Sequence, residues 1–170
     1  MSDMVDDTGW EMDLTPGQRD ELKAKYTPQQ LMVRVAMARD YFRDYMDGGT
    51  YNGRPLEIKL DTWGRLTNKG GTYTYEVCFA GLWYLMVHGE LLSSNWVKVD
   101  VPPIMLFLNA LRFPSLAKGT IMDVLGVDVS SYPPEDWGRI DYHYILTFLD
   151  WLVVQSTPDQ RGVAEGGSKQ

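Results

Sequence analysis

The sequence predicts a single, mainly α compact domain of four or five helices, with a minor β-hairpin or short strands. Three observations carry that reading: a dense apolar run over residues 75–88, helix-start signals repeated at Thr15 and Thr27, and apolar, largely aromatic residues recurring at helical spacing from Trp137 to Leu152. With 170 residues and 44% hydrophobic content, the chain is sized for one core in one domain. Its patterning divides it into an acidic N-terminal arm (1–14), a globular domain (15–155) and a flexible tail (156–170) that gains Gly, Ser and charge.

The arm holds Asp3, Asp6, Asp7, Glu11 and Asp13 around Trp10, with no Lys or Arg. Thr15-Pro16-Gly17-Gln18 then sets an N-cap, a proline at the first helical position and a Gln three residues on, predicting a mostly polar surface helix to about Tyr26. Thr27-Pro28-Gln29-Gln30 repeats the signal and opens a stronger helix. Leu31, Val35, Ala38, Phe42 and Tyr45 form its apolar stripe and Gly48-Gly49 ends it.

From Thr50 to Gly71 the pattern breaks into turn signals at Asn52-Gly53, Trp63-Gly64 and Asn68-Lys69-Gly70-Gly71, around a short strand at 56–60. A small hairpin or a long ordered loop accounts for the segment. The central element comes next as a buried helix over residues 75–88, stopped by Gly89, with a strand at 72–77 as the rival reading. At about 14 residues it is too short to span a bilayer, which takes about 20. Gly81 costs such a helix about 1 kcal/mol relative to Ala, so it marks, with Cys78 and Ala80, a notch for the close approach of another backbone or ring.

Beyond it, Trp96 to Val101 alternates as a strand does and closes on Pro102-Pro103. Ile104 to Phe113 reads as an apolar helix, and 121–125 as a shorter turn with Thr120 in front and Gly126 behind. The last strong helix runs from about Pro134 to Val154.

Chemistry is sparse. One cysteine excludes a disulfide framework within the chain and any multi-cysteine metal site; two separated histidines leave little for zinc, so no cofactor and no metal is expected. A reducing, cytoplasmic location is expected, since the N-terminus carries no secretory leader pattern. The net charge of −7 argues against binding phosphate backbones, and no membrane contact is expected. Cys78 with His143, oriented by Asp141, is the available nucleophile–base pair. His88 is excluded as the base, because ten residues of helix place it about 15 Å from Cys78.

The complement of six Trp, ten Tyr and nine Met exceeds what the core of one such domain requires and points to an interface. The leading expectation is a small, soluble, acidic, non-enzymatic interaction or assembly protein, of the kind a phage uses as an accessory. Its partner would be another protein or a second copy, and its contact residues Trp10, Trp63, Arg65, Lys69 and Tyr73. The alternatives are a cysteine-dependent enzyme and an acidic mimic of nucleic acid that binds a basic protein.

Overall fold

A computed structural model describes residues 13–92, 101–132 and 142–166, with side chains in the last helix as far as Gln155. Both capping boxes form as their sequences require. The Thr15 and Thr27 hydroxyls accept from the backbone N–H groups of Gln18 and Gln30, whose side chains accept in return from the cap backbones. They open α1 (Pro16–Lys25) and α2 (Pro28–Tyr45). In α1 only Leu22 is buried, whereas α2 sends Leu31, Met32, Val35, Ala38 and Phe42 into the core.

Residues 49–77 overturn the expectation of a mainly α fold with a minor hairpin. They build a four-stranded mixed sheet, and with six helices among the described residues the architecture is α+β. The strands are β1 (Gly49–Tyr51), β2 (Arg54–Ile58), β3 (Arg65–Lys69) and β4 (Thr72–Val77), in the order β1-β2-β4-β3. Asn52 and Gly53, with φ of 55° and 78°, make the tight turn between β1 and β2; Gly70 and Gly71, at 61° and 92°, make the turn between β3 and β4. The two hairpins join through a parallel pairing of β2 with β4, in which Leu56 faces Tyr75 and Ile58 faces Val77.

That parallel joint forces the chain to cross the end of β4 before it can return as β3. Residues 59–64 make the crossing. They are held by Lys59 N–H to the Val77 carbonyl (2.8 Å) and by Cys78 N–H to the Thr62 carbonyl (2.8 Å).

The central apolar run is thus two elements rather than one helix starting at residue 75. Strand β4 takes it to Val77, Cys78 is the cap, and helix α3 is Phe79–His88, stopped by Gly89 at φ 74°. Tyr75 and Val77 pack on the sheet's inner face, so burial there is served by an extended backbone as well as by a helical one. Gly81 fulfils its expected role. A Cβ there would land on the backbone carbonyl oxygen of Trp63, in the crossing loop.

Helix α4 (Pro103–Ala110) and helix α5 (Lys118–Leu125) come next, the latter closed by Gly126 at φ 74°. Thr120, expected ahead of this helix as its cap, lies within it and is fully buried, its hydroxyl donating to the Asp13 carboxylate at 2.6 Å. After a 3-10 turn at Val129–Ser131 comes helix α6 (Tyr142–Gly166), which continues past residue 155, where the apolar periodicity ends. The strand-like run at 96–100 and the expected helix start at Pro134 lie outside the described residues.

Helix α2 packs against α3, α5, α6 and β2, so it shares the centre of the fold with α3. The fully buried Phe42 meets Phe79 edge-on at 5.5 Å and the Tyr142 ring at 5.8 Å, tying α2 to α3 and α6 at one point.

Candidate functional site

Strand alternation gives the sheet two different faces. On the inner face, register sets up successive rows across the strands. Ile58 and Val77 are buried against the core, Leu56 is buried beside a half-buried Tyr75, and beyond them Arg54 and Tyr73 reach solvent. The inner face therefore grades from core to surface within one sheet. At its outer end the Arg54 guanidinium sits 5.7 Å from the centre of the Tyr73 ring, and Tyr51 meets Tyr75 edge-on at 5.6 Å. Tyr73 is 47% exposed, and Leu66, opposite Tyr75 on β3, is 41% exposed.

The other face carries charge. Glu76 on β4 is only 2% exposed, and its carboxylate accepts from Arg65 Nε at 2.7 Å and from Thr67 Oγ1 at 3.1 Å, with Lys69 Nζ at 3.1 Å. Lys69 also reaches Glu57 on β2 at 2.7 Å. Burial alone would raise the Glu76 pKa; the three hydrogen bonds, led by that of Arg65, outweigh it and bring the group down to about 2. The same carboxylates raise the pKa of Lys69. Arg65, Thr67 and Lys69 all stand on one side of β3, so this network bolts the edge strand to β4.

The contact residues expected from sequence thus meet in part. Arg65, Lys69 and Tyr73 come together on the β3–β4 hairpin, the first two on one face and Tyr73 on the other. Trp63 lies in the crossing loop, half-buried against the core, with its backbone carbonyl against Gly81. Trp10 is outside the described residues. Sequence reasoning missed Arg54, Leu66 and Glu76. Their signal was the period-two match between Arg65-Leu66-Thr67 and Thr74-Tyr75-Glu76, legible only once those segments are read as paired strands.

Cys78 is fully buried, and its sulfur accepts from Gly81 N–H at 3.3 Å as the cap of α3. Burial pushes the thiol up to about 11, the opposite of an activated thiolate. His143 is exposed on α6, and Asp141 is outside the described residues. Beside Cys78 lies the buried Arg112, which donates to the Leu60 carbonyl and to Asn109 Oδ1, each at 2.9 Å, while Tyr142 Oη donates to the Ile58 carbonyl at 3.0 Å. These bonds brace the start of the crossing loop.

Among the described residues no group of three or more His, Cys, Asp or Glu side chains is placed to hold a metal ion, and no helix is long and apolar enough to cross a membrane. Several surface carboxylates are matched by cations. Asp123 meets Lys23 at 2.7 Å, and Arg39 and Arg43 bridge Asp40 to Asp150. Comparison with protein-family models, curated proteins and solved structures finds no match for this chain.

Proposed function

We propose that this chain is a small acidic interaction protein without catalytic activity, which works in a reducing cytoplasm by covering a partner surface with the outer end of its sheet. The observation that carries the reading is the patch formed by Tyr73 and Leu66, 47% and 41% exposed on one face of a sheet whose next rows are core. An aromatic ring topped by a guanidinium is the kind of group that anchors protein interfaces, since it buries a large area at small entropic cost. A buried cysteine with a raised pKa supports the absence of thiol chemistry. The partner is another protein or a second copy of the chain.

Photocrosslinking tests this. A photoreactive phenylalanine analogue is placed at position 73, and separately at position 33, where Val33 is 55% exposed on helix α2 rather than on the sheet. Irradiation in cells that express the protein should give a discrete adduct from position 73 and none from position 33. Its mass identifies a second copy or a different protein. Unlabelled wild-type chain should compete the adduct away, and a Tyr73→Asp chain should not. Absence of an adduct at position 73, or equal adducts from both positions, refutes the reading.

A further inference from the structure

Among the described residues the strand order leaves β3 at one edge of the sheet. Its turn to β4 contains two residues, Gly70 and Gly71, so the flanking pair Lys69 and Thr72 exchanges both backbone hydrogen bonds, as do Thr67 with Thr74 and Arg65 with Glu76 at every second position. The intervening residues, Leu66 and Asn68, therefore turn their N–H and C=O groups outward. No backbone hydrogen bond to the rest of the described chain uses them. An edge of this kind is a template for another strand.

The side chains say which strand fits. Toward one face the edge presents Arg65 and Lys69, whose side chains are 45% and 44% exposed, while the carboxylate between them, Glu76, is 2% exposed. The exposed Glu57 that Lys69 also binds stands two strands in, on β2, so the two cations lie on the edge strand and the carboxylates that offset them lie behind it. Toward the other face the edge presents the apolar Leu66, with Tyr73 one step diagonal to it. A second copy is a poor occupant. Antiparallel pairing of β3 with itself about Thr67 sets Arg65 against Lys69 twice.

We propose that the free edge of β3 pairs with an extended segment of a different protein in which acidic and apolar residues alternate. The acidic residues lie opposite Arg65 and Lys69, and the apolar ones beside Leu66 and Tyr73. The inference rests on the proposed interaction role and narrows it to one kind of partner.

The probe is an end-capped hexapeptide alternating glutamate and valine, titrated to about 1 mM into isotopically labelled full-length protein and followed by amide NMR and hydrogen exchange. The expected result is saturable shifts at Leu66 and Asn68 with slowed exchange of both amides. A lysine–valine hexapeptide should bind at least ~5-fold more weakly. N-methylation of the two peptide residues that face Leu66 and Asn68 should weaken binding by ~10-fold or more. Leu66→Pro, which removes an outward N–H but no ladder bond, should abolish binding, and Leu66→Ala should retain part of it. The N-methylated peptide decides the matter if the proline variant fails to fold.

Unmoved β3 amides at about 1 mM probe, unchanged binding after N-methylation, or equal binding of the lysine peptide overturns the proposal. Shifts confined to Tyr73 and Tyr75 also overturn it, yet leave the interaction role standing. The crosslink at position 73 reports separately on whether any partner is bound, so the two failures are distinguishable.

Discussion

Gly81→Ala separates tertiary packing from helix propensity by the sign of its effect. In an open helix the change stabilises by about 0.5–1 kcal/mol, because alanine loses less backbone entropy on folding. In α3 the added methyl would fall on the Trp63 carbonyl oxygen and within 2.8 Å of its carbon. Both are backbone atoms, which cannot rotate aside as a side-chain tip can. The crossing loop must move by roughly an ångström, and it is held by Cys78 N–H on Thr62, Lys59 N–H on Val77 and Arg112 on the Leu60 carbonyl. Losing one or two of these bonds in a buried setting costs about 1–3 kcal/mol each, giving a net destabilisation of about 2–4 kcal/mol after the propensity gain. Tm should fall by ~5–15 °C, and the urea midpoint should drop with an unchanged slope. Gly119→Ala in α5 is the control, since a Cβ there meets nothing within 4 Å, and it should stabilise slightly. A Gly81→Ala protein as stable as wild type would refute the close approach on which the placing of the loop depends.

Three further outcomes rest on the same geometry. Glu76→Gln should cost about 1–2 kcal/mol at neutral pH, a figure reduced from the full shift because Arg65 and Lys69 are half in solvent. Since the folded pKa of about 2 lies below the ordinary 4.5, that contribution is complete above pH 4.5 and fades as pH falls through 2. Urea titrations at several acid pH values should therefore show a shallower loss in the variant, and parallel curves would remove Glu76 from its role. Arg112→Met leaves the Leu60 carbonyl and Asn109 Oδ1 without their donor, and should cost about 3 kcal/mol or more. Both bonds leave a single nitrogen, Nη1, so an ammonium that reaches it keeps a donor for each, and Arg112→Lys should recover part of the loss; a lysine variant no more stable than Arg112→Met would refute this account. Native Cys78 should be alkylated at least ~100-fold more slowly than in denaturant near neutral pH. Fast native reaction with an inflection below about pH 7.5 would bring back the enzymatic reading.

The helices were legible where a local signal fixes them. Thr15 and Thr27 each place a hydroxyl, a proline and a glutamine at the spacing that satisfies orphan N–H groups, and the close approach at Gly81 was readable from a glycine in an apolar helix. The turns at Asn52-Gly53 and Gly70-Gly71, a strand near 56–60 and the rival strand at 72–77 were legible too, but their assembly into one four-stranded sheet was hidden for physical reasons. Edge strand β3, Arg65 to Lys69, has polar side chains on one face and a solvent-facing leucine and asparagine on the other, so it shows no clean hydrophobic alternation. Strand β4 passes into α3 with only Cys78 between them, and sulfur is a weak acceptor that does not announce a cap. The β2–β4 pairing joins segments about twenty residues apart, and no local propensity encodes a partner at that distance.

The same separation explains why the candidate site was seen only in outline. Arg65 and Lys69 drew attention as exposed cations, yet part of their charge is spent on Glu76, whose pairing with them depends on a strand register that the sequence does not display. Holding a buried carboxylate costs desolvation, and three hydrogen bonds offset that cost. What the network adds to the hairpin is order. Arg65, Thr67 and Lys69 are fixed along one side of β3, and the two-residue glycine turn fixes its register with β4. The outward amides of Leu66 and Asn68 are then already in strand geometry before anything meets them. An incoming segment must order itself but not its template, and that difference favours recognition at an edge only five residues long.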